Sequence, residues 1–189
     1  AQLDTILYVD DHVKTFEESE AILSFADMST FVLKQETEIV LNAPPSKANK
    51  LKLVAGKVMA NINKMLKDGT MEVDSSQAVA GIKGTRFILT ETGTESKIEV
   101  TEGTVAFLSK VNGLETMVSA GEAVVATASG LSTKTTFDAT TIDKEILAKT
   151  SITQSPKKNN NIVIFVSLGV ILLGAVSVLL AFFMVFYLF

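Results

Sequence analysis

The chain has 189 residues, of which 47% are apolar and 20% charged, with a formal net charge of −4 and a positive mean hydropathy. The mildly acidic balance excludes the basic footprint of a nucleic-acid binder. The absence of cysteine excludes disulfides, thiolate metal sites and thiol nucleophiles, and any Ser-His-Asp arrangement would have to use the single histidine, His12, which no nucleophile motif accompanies.

Residues 1–137 read as short strands. The stretches "SEAILSF", "TFVLKQE", "TEIVLNA" and "LKLVAGKVMANI" alternate apolar and polar residues. Turn-like segments separate the strands of this region, among them "ADMS", "NAPPSKAN", "KDG", "TGTE", "NGLE" and "SGLST". Near the start, "DDHVK" (Asp10 to Lys14) offers two carboxylates and an imidazole. Neighbouring strand residues point to opposite faces and chelate poorly, so no metal site is expected there. Residues 47–67 hold Lys47, Lys50, Lys52, Lys57, Lys64 and Lys67 without an acid. They fit a solvated face or a dock for anionic lipid or an acidic partner.

The segments starting at Leu51 and Ile98 share a strand, a glycine and a strand at a period of about 47 residues. A glycine recurring at one phase of β units marks a bend. Such units predict an all-β domain, as a short twisted β-solenoid or a sandwich of two sheets. A short amphipathic helix is predicted over 138–150, with Thr140 as cap, Asp143 in the first turn, Lys149 in the last, and Ile142, Ile146 and Leu147 on one face. Residues 151–161 are polar, contain Pro156 and read as a juxtamembrane linker.

Residues 162–189 carry no charge and are predicted to form one C-terminal transmembrane helix, since a bilayer core of ~30 Å needs ~20 apolar residues. Phe182, Phe183, Phe186, Tyr187 and Phe189 crowd its far end as interfacial aromatics do. Ser167, Gly174, Ser177 and Ala181 share one stripe of such a helix and form its expected packing seam.

The stretch "AVAGIKGTRFIL", Ala78 to Leu89, raises two readings of Gly81 and Gly84. One is an anion nest; the other is a tight corner between strands. A phosphate loop opens a helix, whereas a strand-like "TRFILTE" follows here, which favours the corner. Arg86, the lone arginine, is expected to make a fixed hydrogen bond to carbonyls or a carboxylate.

The surrounding residues resemble the FecR-like domain family, named after the iron-citrate regulator. The resemblance rests on Gly81, Lys83, Gly84, Thr85 and Phe87, followed by Val100, Glu102, Gly103 and Val105. It continues through "VSAGEAVV" with Gly121, and "LKLVAGKV" supplies a middle corner at Gly56. It covers roughly residues 8–130. The motif residues Gly56, Gly81, Gly84, Thr85, Arg86, Phe87, Gly103 and Gly121 are thereby expected to be structural.

The resemblance implies an extracytoplasmic β domain that contacts other proteins of a bacterial envelope. The family's signalling members place a cytoplasmic anti-sigma region and a membrane helix before that domain. Here the β domain comes first and the apolar run last. The chain is therefore read as a non-enzymatic, single-pass protein of the bacterial cell membrane, with its β domain in the periplasm. It would act as an adaptor or accessory subunit of a larger membrane assembly. The alternative is a signal-sensing domain that relays to a separate regulator. Expected partners are other membrane or envelope subunits or a second copy of the chain. No catalytic residue, metal, cofactor, nucleic acid or small-molecule substrate is expected. Lys157 and Lys158 would alone place the β domain in the cytoplasm; the resemblance and the non-Met start "AQ" point outward.

Overall fold

The structure is a computed structural model that describes residues 5–25, 29–42, 48–62, 70–150 and 162–168. Its elements are strands β1 (Thr5–Leu7), β2 (His12–Lys14), β3 (Ser19–Ser24), β4 (Thr30–Leu33), β5 (Glu38–Leu41), β6 (Ala48–Asn61), β7 (Thr70–Asp74) and β8 (Ala78–Ile82). Strands β9 (Arg86–Glu91), β10 (Glu95–Glu102), β11 (Thr104–Ser109), β12 (Glu115–Ser119), β13 (Glu122–Thr127), β14 (Gly130–Leu131) and β15 (Thr135–Thr136) follow. Helix α1 (Ala139–Thr150) and strand β16 (Ile162–Leu168) complete them.

The strands form one curled sheet with two limbs. Sheet A runs β1-β16-β3-β4-β6-β9-β10-β13, with β14 and β15 on β13. Sheet B runs β2-β5-β6-β7-β8-β11-β12. Every pairing is antiparallel except β6 with β7. The long strand β6 belongs to both limbs: Leu51 to Ala55 pair with β5 in sheet B, and Gly56 to Asn61 pair with β9 in sheet A. The limbs close on one apolar core that includes Phe31, Leu53, Phe87, Ile98 and Phe107.

The change of sheet explains several glycines. Gly56 has φ +94° at the crossing inside β6. The chain crosses from β8 to β9 at Gly84 (φ +64°), from β10 to β11 at Gly103 (φ +79°), and from β12 to β13 at Gly121 (φ +81°). The last three corners stack. Ala120 N donates to Gly103 O at 3.0 Å and Gly121 N to Val100 O at 2.8 Å. A Cβ on Gly103 would lie 2.8 Å from Thr85 Cγ2. Gly93 and Gly113 instead serve hairpins within one sheet, where a Cβ would meet nothing within 4 Å.

Four parts of the sequence reading change. Gly81 is no corner: it lies inside β8, opposite Ala106 and Glu72, and a Cβ there would make ordinary contacts. The segments at Leu51 and Ile98 are not equivalent units, because Gly56 bends one continuous strand whereas Gly103 separates two. The cap of α1 is Asp138, whose Oδ1 accepts from Thr140 N at 2.9 Å. Residues 162–168 are not helical. They insert as β16 between β1 and β3, a role that the β-branched and aromatic run "IVIFV" suits. Ser167 therefore lies on a strand, opposite Glu20. Gly174, Ser177, Ala181 and the rest of the expected membrane helix lie outside the described residues. Among the described residues no helix is long and apolar enough to cross a membrane.

Candidate functional site

The outer face of sheet A carries the most organised surface feature. Side chains alternate across a strand, so the neighbours of core residues Phe31, Val58 and Phe87 face outward. Four of these outward residues, Ile22, Val32, Met59 and Ile88, stand in register on β3, β4, β6 and β9. They form a second, smaller apolar cluster with the wholly buried Ile146 and the partly buried Ile142 of α1. This explains why "TFVL" and "RFIL" are apolar at adjacent positions: both faces of these strands are covered. Leu147, expected on the same helix face, is partly exposed.

A frame of charges surrounds that row. Arg86 forks onto Asp143, with Nε donating to Oδ1 at 2.8 Å and Nη2 to Oδ2 at 3.1 Å, and its Nη2 also pairs with Glu102. Lys34 bridges Glu145 (2.9 Å) to Glu20, which also pairs with Lys149. Asn61 Nδ2 donates to Thr150 Oγ1 at 3.0 Å. The Arg86 guanidinium holds Asp143 below the usual carboxyl range, against the opposing effect of burial, and Thr101 assists. Asp143 in turn raises Arg86. Burial alone would raise Glu20, but Lys149 and Lys34 outweigh it and the carboxyl is lowered. Burial would lower Lys34, but Glu20 and Glu145 outweigh it and the ammonium is raised. Every charge of the frame thus faces an opposite one, between the helix and the sheet or within the sheet beneath it.

The other singled-out residues serve the frame of the fold. Phe87 is wholly buried and Thr85 almost so. His12 is largely exposed and its Nδ1 lies 3.2 Å from Glu38 Oε1. Among the described residues no group of three or more His, Asp or Glu could hold a metal. Lys52 and Lys57 are exposed but belong to different sheets, opposite Asp74 and Thr90. Lys47, Lys64, Lys67 and the side chain of Lys50 lie outside the described residues.

Glu91 was not singled out from sequence. It is buried, and its carboxylate accepts from Ser76 N (3.0 Å), Ser76 Oγ (2.8 Å), Gly93 N (2.6 Å) and Ser96 Oγ (2.6 Å). Ser96 Oγ also meets Ser75 Oγ at 2.8 Å, which ties sheet A to the end of β7. The serines of "VDSSQ" and the adjacent "TGTES" were the available signal.

The fold and its helix-covered face define a two-limbed β module with stacked glycine corners and no assembled reaction centre among the described residues. A family profile described as "FecR protein" matches residues 11–106, and the chain belongs to the FecR family. No curated protein matches the chain. Two solved structures from Parabacteroides distasonis ATCC 8503, each provisionally described as an anti-sigma factor, are similar in fold. One has a TM-score of 0.62 at 13% identity and covers 72% of this chain. The other has a TM-score of 0.61 at 14% identity and covers 70%. This chain spans 64% and 62% of their respective lengths.

Proposed function

We propose that this chain is a regulatory relay module, whose β domain receives a signal by protein contact and passes it to a separate regulator. Family membership and the regulatory description of both similar structures support this reading over that of an accessory subunit. The observation that carries it is the attachment of α1. The helix rests on one apolar row and a charge frame, outside the main core, and so can leave the sheet without opening that core. We further propose that the 21 uncharged residues 169–189 anchor the chain in the bacterial cell membrane, with the β domain in the periplasm.

The test uses the tagged full chain in its own cells. After cross-linking and recovery in mild detergent, the expected partner is a transcription regulator or its membrane-bound inhibitor. Ile146→Asp places a charge between α1 and sheet A. It is expected to change transcription of the partner's targets at unchanged protein level. Recovery of structural envelope subunits alone, with transcription unaffected, overturns the relay in favour of an accessory subunit.

A further inference from the structure

Sheet B ends at β12, and nothing pairs with its outer side among the described residues. The hydrogen-bond alternation is fixed at both ends of the strand. Ser109 N donates to Leu114 O at 2.8 Å, so Leu114 faces β11. Ser119 N turns the other way and donates to Glu122 Oε2 at 2.8 Å. The backbone groups of Glu115, Met117 and Ser119 therefore point at the free edge, and those of Thr116 and Val118 at β11.

Free edges in monomeric proteins are usually blunted by proline, lysine or a bulge. Strand β12 has no proline, lysine or bulge; its one charge, Glu115, stands at its first residue, Glu122 holds the Ser119 N–H at its last, and its register with β11 runs unbroken from Glu115 to Ser119. On its outward face Met117 is 50% exposed, while Val118 enters the core; on the preceding turn Val111 and Leu114 are 53% and 63% exposed. In register, Met117 follows Ala106 and Gly81 across the sheet, so a low apolar strip leads to the edge.

We propose that β12 pairs with β12 of a second copy, antiparallel, about a twofold axis at Met117. A second copy fits because the edge is complementary to itself. Centred there, Met117 meets Met117, Glu115 meets Ser119, and Thr116 meets Val118. The outward groups of Met117 and Glu115 then face outward groups of the second copy, whereas Ser119 offers only its carbonyl, because its N–H is held by Glu122 Oε2. The only charged side chain of the strand, Glu115, avoids its own copy, whereas a slip by one position in either direction shortens the ladder and breaks the Met117 contact. The joined sheet continues sheet B across both molecules. An interface of five residues a side is far below the standard protein–protein size, so the dimer is weak and concentration-dependent.

The chain has no cysteine, which allows a direct test on the full chain in mild detergent. Opposed residues of a hydrogen-bonded antiparallel pair have Cα atoms ~5.5 Å apart, within disulfide range. Met117→Cys is expected to form a disulfide-linked dimer under mild oxidation. Glu115→Cys and Ser119→Cys are expected to remain uncrosslinked separately and to crosslink when mixed. Met117→Pro removes an N–H that faces only the free edge. It should leave the fold intact and hold the sedimentation mass at one chain, while the unaltered chain moves toward two as concentration rises. If Met117→Pro does not fold, Met117→Lys serves the same purpose. A Met117→Cys chain that stays monomeric, or crosslinks in cells to a different protein and not to itself, overturns the proposal.

Discussion

Gly56 turns β6 from one sheet into the other at φ +94°, and a Cβ there would stand 2.5 Å from Thr37 Cα and 2.6 Å from Glu36 O. Both obstacles are backbone, so neither can swing aside. Gly56→Ala is expected to cost at least the ~1–3 kcal/mol of a strained φ, and to lower the melting temperature by several degrees at about 2–4 °C per kcal/mol. Gly81→Ala should not lower it and should raise it by about 1–4 °C, since a strand-interior glycine with ordinary φ costs about 0.5–1 kcal/mol relative to alanine and the added methyl meets Ala106 Cβ at 3.7 Å. Circular-dichroism melts of the two full-length variants decide the matter; equal melting would show that β6 needs no glycine at its bend. The sequence offered both glycines on equal terms, because spacing does not tell a corner from a strand interior. Glu91 was less legible still. Beside a polar turn it looks solvated, and only the folded chain brings Ser76, Gly93 and Ser96 around it.

At the scale of elements, α1 is where sequence and structure agree in outline and differ in cause. The periodicity of Ile142 and Ile146 and the closing Lys149 were readable. The surface they meet was not, because Ile22, Val32, Met59 and Ile88 come from four separate strands. A helix of twelve residues is marginal alone, so its persistence depends on that contact. Asp143 and Glu20 have lowered pKa values in the folded chain. Their contribution is therefore present above the unfolded values, about 3.9 for Asp and 4.3 for Glu, and is lost as pH falls through the still lower folded values. Lys34 and Arg86 are raised, so their contribution is present at neutral pH and is lost only in strong alkali. Docking should thus hold at neutral pH and weaken in acid, with Glu20 and Asp143 losing charge opposite Lys34, Lys149 and Arg86. Hydrogen exchange should show this as reduced protection of the Leu147 and Lys149 amides at about pH 3, corrected for intrinsic rates, while Phe107 in the core stays protected. Protection lost at all three sites together would mean that the helix and sheet open as one unit. Protection unchanged at all three would mean that the apolar row alone holds the helix.

At the scale of the whole molecule, the all-β class was readable from strand alternation, but the two-limbed curl of the sheet and the path of the C-terminal segment were not. An uncharged run from Ile162 reads as a single span because hydropathy sums over a window and carries no register. The structure divides that run: Ile162–Leu168 completes sheet A between β1 and β3, and 21 residues remain beyond it. About 20 residues suffice to cross a bilayer, so the sheet position and the proposed anchor do not compete for the same residues. The β domain would then sit against the membrane, joined to its anchor by the strand itself rather than by the polar linker 151–161. Registry makes this testable, since Val163 stands opposite Ser24. The double variant Ser24→Cys, Val163→Cys, reconstituted in lipid vesicles, is expected to form an intramolecular crosslink under mild oxidation. A control pair displaced in register, Ser24→Cys with Leu168→Cys, should not. In the same vesicles a cysteine at Gly174 should resist a water-soluble thiol reagent until detergent is added. Crosslinking at 163 together with protection at 174 fits the divided run. Protection at both positions without a crosslink would return residues 162–168 to the membrane and leave β3 as the edge of sheet A.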